Sequence, residues 1–150
     1  MARFPTAVTV VTAIGPAGPA GATANAVASL SLEPPMMLAC LDLGSRTLVA
    51  VEHAGAFGIN VLAADQAELA RRFSTKDPHP QKWEGVGWAE RAGTPMIDGA
   101  LIWLACEVRE IHQGGDHVIA TGPVVELEAG EDGEPLLFYG GDYQGLDGAG

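Results

Sequence analysis

Three short stretches of this 150-residue chain carry side chains suited to chemistry. Ser45-Arg46-Thr47 opens a helical stretch, so its backbone N–H groups stand unpaired at the positive end of a helix dipole, where an anion such as phosphate is favoured. Arg46 adds a full charge there. Asp42, just upstream, would repel a phosphate on its own side and is expected to face a ring edge or solvent. In Gly114-Gly115-Asp116-His117 a tight hairpin turn explains the glycines and Asp116 but leaves the imidazole of His117 unaccounted for. The third stretch holds Asn25 and Ser29, able to donate and accept hydrogen bonds, among the small residues Ala24, Ala26 and Ala28.

Other chemistries find little support. His53, His79, His112 and His117 lie in separate segments without ligand spacing, so no metal site is expected. Cys40 and Cys106 each sit in an apolar run and read as buried free thiols in a reducing cytoplasm. No triad-like set of nucleophile and base occurs. With 8 basic and 19 acidic residues the net charge is −11, which argues against nucleic acid. A phosphate-bearing ligand would have to be held by backbone N–H groups and one or two chosen cations. No apolar run approaches a membrane span. The first strand begins so early that a longer native N-terminus is expected.

The elements that must position these residues are mostly strands. Val8–Ile14 is β-branched and alternating, and Gly15–Gly21, reading Gly-Pro-Ala twice, suggests a flexible hairpin tip. Met36–Leu41 is a buried strand after the Pro34-Pro35 break. Ser45 is an N-cap for a helix to about His53, stopped by Gly55. Phe57–Leu62 is a strand, and Asp65 with Glu68 has capping-box spacing for a second short helix that places Leu69 and Phe73 on one face. Thr75–Val86 reads as a polar surface loop. Leu101–Ile111, Val118–Glu128 and Pro135–Tyr139 complete about seven strands, with Gly114-Gly115 and Glu131–Gly133 as turns. Without regular β–α alternation, this order predicts one mainly β domain over residues 1–150, an antiparallel barrel with two short helices.

Four segments in order carry a resemblance: Thr23 to Pro35, Cys40 to Thr47, Phe57 to Leu62, and Gly115-Asp116-His117 leading to Leu137–Tyr143. Together they resemble the short-chain flavin reductase family, the reductase components of two-component flavin monooxygenases. The resemblance implies a split β-barrel of Greek-key type that binds FMN or FAD and takes hydride from NADH or NADPH. It also implies a homodimer with each flavin near the interface, and a flavin-dependent monooxygenase as partner. By this resemblance Thr23, Asn25, Ala26, Val27, Ala28, Ser29 and Ser31 wrap the flavin ring and ribityl chain. Cys40, Leu41 and Asp42 flank the ring, Ser45, Arg46 and Thr47 hold phosphate, and Asn60 and Phe73 approach from another side. For Asn60, which needs hydrogen-bond partners if buried in mid-strand, a structural role is favoured, and Phe73 could equally be core. Gly115, Asp116 and His117 would lie beside the nicotinamide, with His117 the catalytic candidate; Tyr139 and Tyr143 would stack on nicotinamide or adenine.

The chain departs from the family pattern at Ala7, Ala26 and Gly140-Gly141. The last stands where a basic residue is frequent, so little remains to pair with a 2′-phosphate and NADH is the expected donor over NADPH. Two other classes fit some of the same residues: a flavin-binding electron carrier or store, and a split-barrel enzyme acting on another reducible cofactor such as a corrinoid.

Overall fold

The strand Thr9–Gly15 (β2) is the wall between two cores in the computed structural model, which describes residues 3–146. Successive side chains of a strand point to opposite faces. Val11 accordingly enters one apolar cluster with Phe57, Ile59 and Leu104. Val10 enters the other with Leu62, Phe73 and Trp83. An apolar run without alternation is therefore what a strand covered on both sides needs.

The chain begins with Thr6–Ala7 (β1) and β2, then Gly18–Ala24 (β3), Val27–Leu32 (β4) and Pro35–Asp42 (β5). The helix Arg46–Ala54 (α1) leads to Ala56–Val61 (β6), a 3₁₀ turn at Ala64–Gln66, and the helices Ala67–Phe73 (α2) and His79–Lys82 (α3). Then come Trp88–Arg91 (β7), Thr94–Ile97 (β8), Ile102–Glu107 (β9), Glu110–Gly114 (β10), His117–Ala129 (β11), Leu137–Tyr139 (β12) and Asp142–Gln144 (β13). The main sheet runs β3-β2-β6-β9-β11-β5-β4, and β10 also pairs with β11. All these pairings are antiparallel. Two small sheets, β1-β12-β13 and β7-β8, complete the mainly β architecture.

The strand β11 joins the two halves of the barrel. Its first part, His117–Pro123, lies beside β5, with β10 on its other edge. Its second part, from Val124 onward, pairs with β9. Just before the change, at Gly122, an added Cβ would sit 1.5 Å from the Glu107 carbonyl oxygen, so only glycine fits.

Several expectations need correction. The hairpin tip is only Pro16-Ala17; Gly18–Gly21 already pair with Gly15–Thr12. Small residues are needed here because a Cβ on Gly21 would come within 2.9 Å of the Phe73 ring. The second helix is not capped by Asp65. Instead the Gln66 side-chain oxygen accepts the Ala63 N–H at 2.9 Å, and α2 starts at Ala67. Thr75–Val86 is no plain loop: it holds the third helix, α3, and buries Trp83 edge-on against Phe73. The expected strand Leu101–Ile111 is broken at Val108-Arg109 into β9 and β10. The β7–β8 hairpin, turned by Ala92 and Gly93 at positive φ, has no counterpart in the expected elements.

Candidate functional site

The segment Asn25–Ser29 enters β4 alongside β5. The Ala26 carbonyl accepts the Cys40 N–H at 2.9 Å, and Val27 and Ala28 stand opposite Ala39 and Leu38. This edge borders a cleft of about 510 Å³, closed on the other side by the 4–7 stretch and by Thr9 and Val61. Small side chains at Ala26 and Ala28 leave main chain open to the cleft. Two polar atoms on its walls, Asn25 Oδ1 and Thr6 Oγ1, are buried without a hydrogen-bond partner among the described residues. An unpaired buried acceptor costs about 1–3 kcal/mol, so the cleft has the character of a place completed by a ligand with polar edges.

Farther along β5 the site becomes polar. Asp42 lies directly opposite His117 across the β5–β11 pair. The Asp42 carboxylate accepts the Gly44 N–H at 2.7 Å, and its carbonyl accepts the Ser45 N–H at 3.0 Å. The acid is thus occupied in the turn that launches α1. Ser45 caps that helix by accepting the Thr47 N–H at 3.1 Å, and Gly55 ends it in the left-handed region. Thr47 is 1% exposed, and its hydroxyl oxygen has no hydrogen-bond partner among the described residues.

The β10–β11 turn brings in the remaining groups. Gly115 has a φ of 70°, and the Asp116 carbonyl accepts the Leu43 N–H at 3.0 Å, tying the turn to the end of β5. His117 Nδ1 lies 2.8 Å from Asp116 Oδ1, and this bond holds the Asp116 carboxyl below the usual carboxylate range. That contact leaves Nε2 as the ring nitrogen not engaged by Asp116. Arg46 is turned the other way. Its guanidinium donates to the carbonyls of Lys76 at 2.5 Å and Asp77 at 3.3 Å, against the stretch leading into α3.

Asn25–Ser29 and Cys40 therefore gather at the cleft, while Asp42, Gly115, Asp116 and His117 meet beyond it where β5 ends beside β11, next to the Ser45–Thr47 opening of α1. The other expected residues are placed elsewhere. Thr23 donates its hydroxyl to the Ala70 carbonyl at 2.6 Å, bracing α2. Leu41 points into the core at 3% exposure. Asn60 is fully buried: its Nδ2 reaches the Val10 and Pro95 carbonyls, and its Oδ1 accepts the Ile97 N–H at 2.8 Å. Phe73 is core, 4.9 Å from the Trp83 ring. Ser31 faces Met36 at the far end of β4. Tyr143 packs at a steep tilt against Phe138 with Arg71 over its ring, and Tyr139 is exposed on β12. The sequence reading missed the wall formed by residues 4–7, whose one visible signal was the hydroxyl of Thr6 beside a proline.

Residues 1–147 match the family described as flavin reductase like domain. Among curated proteins, the reductase subunit HsaB of a flavin-dependent monooxygenase from Rhodococcus jostii is 39% identical over 98% of this chain and 75% of its own length. An NADH-dependent flavin reductase from a Rhodococcus species is 35% identical over 98% and 83%. Among solved structures, the NADH:FAD oxidoreductase SgcE6 of Streptomyces globisporus, in complex with NAD and FAD fragments, superposes with a TM-score of 0.87 at 35% identity, covering 95% of this chain and 86% of that one.

Proposed function

This chain belongs to the flavin reductase-like family, and from that premise we propose that it is an NADH-dependent flavin reductase whose site is the cleft beside Asn25 together with the polar end at His117. The observation that carries the site assignment is the buried, unpaired Asn25 Oδ1, set in a cleft whose β5 wall includes Cys40, two residues before the Asp42 that stands opposite His117. The residues present fit a flavin. Asn25 Oδ1 and Thr6 Oγ1 offer hydrogen bonds to a ring edge, the alanine backbone permits close stacking, and the opening of α1 with Thr47 suits a phosphate. When bound, FMN or FAD accepts hydride from the nicotinamide at N5 and passes reducing equivalents onward.

The protein's own contribution is alignment and a dry site. Small residues at 26 and 28 let a flat ring approach the sheet edge. Ser45 and Thr47 fix the end of the ligand that carries phosphate, and Arg46 supplies charge after leaving the 76–77 carbonyls. His117, with Nδ1 held by Asp116, directs Nε2 toward the donor. No side chain has to form a covalent bond or transfer a proton for hydride to move. The proposed working unit is a homodimer of this single domain, with the exposed Leu30 and Leu32 of β4 available to an interface beside the cleft. The proposed consumer of reduced flavin is a monooxygenase, and the proposed location is the cytoplasm. Among the described residues no helix is long and apolar enough to cross a membrane.

The test mixes purified protein with NADH or NADPH and with FMN or FAD, in all pairs, and follows nucleotide oxidation. Flavin-dependent oxidation, faster with NADH, is expected. Tight flavin binding without oxidation in any pair would leave only a carrier or store.

A further inference from the structure

The strands β10, β11, β5 and β4 lie side by side, and one face of this sheet enters the barrel core through Ala39, Leu41, Val118 and Ala120. Residues directly opposite in an antiparallel pair project to the same face, and alternate residues along a strand share it. The other face therefore carries His117, with Asp42 beside it on β5 and Gly114 beside it on β10. Two residues along, Cys40, which borders the Asn25 cleft, aligns with Ile119 and His112. Two further, Thr121 aligns with Glu110. His117, His112 and Glu110 thus share one face along the β10–β11 ribbon. His112 is a diagonal neighbour of His117, about 7–8 Å away. Glu110 is four residues from Gly114, roughly 13 Å along the strand. Its carboxylate is exposed, and its one side-chain partner among the described residues is His112 Nε2, at 3.5 Å. That separation is too long for a strong hydrogen bond, so the carboxylate is free to accept others.

We propose that Glu110 is a specificity-determining residue for the hydride donor: its carboxylate accepts hydrogen bonds from the adenosine ribose hydroxyls of NADH and repels the 2′-phosphate of NADPH. The inference rests on the flavin reductase reading, with the nicotinamide at His117. Ribose and diphosphate separate the two bases of the donor, so a molecule that follows β10 from His117 brings its second ribose to the Glu110 end of the face. A carboxylate has two acceptor oxygens, one for each hydroxyl of a vicinal diol. The same chemistry places an acidic side chain at the ribose of sites that take the unphosphorylated cofactor. Against a phosphate that charge is a like-charge contact, which discriminates by repelling the wrong partner. Because Glu110 stands in water, its effect is a few-fold and not a hundredfold one.

Steady-state kinetics of the wild type, Glu110→Gln, Glu110→Arg and Glu90→Gln decide the matter, with NADH, NADPH and reduced nicotinamide mononucleotide as donors and FMN as acceptor. Glu90 is exposed on β7, in a different sheet, and reports what the loss of one negative charge does to the chain as a whole. The wild type should favour NADH. Glu110→Gln should lower kcat/KM for NADH and raise it for NADPH, each about threefold and through KM more than kcat, so that the ratio between them falls about tenfold. Glu110→Arg should shift the ratio further in the same direction. The mononucleotide lacks the second ribose, so its kcat/KM should be the same in Glu110→Gln as in the wild type. A wild type that favours NADPH, an unchanged ratio in Glu110→Gln, the same shift in Glu90→Gln, or an equal change with the mononucleotide overturns the assignment and leaves the reductase reading standing. Absence of flavin-dependent oxidation of every donor by the wild type removes that reading, and the role of Glu110 with it.

Discussion

At the scale of the residue, His117 is the side chain whose removal tests the proposed site. Its Nδ1 is engaged by Asp116, and it faces Asp42 at the end of β5. A group that aligns donor and acceptor acts more on the transition state than on ground-state binding. His117→Ala should therefore slow anaerobic single-turnover flavin reduction about tenfold, roughly 1.4 kcal/mol, and change flavin affinity much less. An unchanged stopped-flow rate in the folded variant would leave this histidine a turn residue. His79 makes a prediction of a different kind. Burial first, then the charges of Lys82 and Arg46, lower its pKa below the ordinary 6.5. The unfolded chain then binds more protons than the folded one just below that value, so stability falls as pH drops through 6.5 toward the folded pKa. Urea melts of wild type and His79→Leu at stepped pH should show a shallower acid loss in the variant.

At the scale of the element, Asn60 braces the fold, the role its place in mid-strand favours. An amide in the middle of an apolar strand is a reasonable ligand contact, yet it serves to fasten the β7–β8 hairpin onto the barrel. Thr12 shares that task by donating to the Pro95 carbonyl at 2.8 Å. Asn60→Ala would leave the Ile97 N–H buried and unpaired, and should cost about 2–4 kcal/mol in denaturant unfolding without a matching loss in flavin binding. If flavin affinity falls more than stability, Asn60 belongs to the site after all. The β-branched run of β2 and the helix marked by Ser45 and Gly55 were legible because local rules decide them. The β7–β8 hairpin was not, since Trp88–Arg91 and Thr94–Ile97 are short and hold together through Asn60, Thr12 and an Arg91 pair with Glu126 and Glu128. The break at Val108-Arg109 depends on the backbone approach at Gly122, a tertiary fact with no local sign. Likewise, Asn25 and His117 stood out by type, whereas the wall from residues 4–7 exists only once β1 has paired with β12.

At the scale of the whole molecule, charge sets how reactants arrive. The chain carries −11 and both proposed reactants are anions, so repulsion slows encounter at low ionic strength. Raising salt from about 10 to about 150 mM, which shortens the screening length to roughly 8 Å, should raise kcat/KM for NADH and raise it more for NADPH with its extra phosphate. A fall in kcat/KM over that range would show that local cations, and not the overall field, govern capture. The strand β11 has a consequence for the order in which the protein can be made. Asn25–Ser29 and β5 leave the ribosome early, but the partner that places His117 opposite Asp42 is synthesised after most of the chain. Until then β5 has an unpaired edge and the apolar residues Ala39 and Leu41 lack their cross-strand neighbours Ala120 and Val118. Nascent chains arrested before β11 therefore present a sticky strand edge and no reaction site, so completion of the fold and acquisition of activity coincide in a single late event.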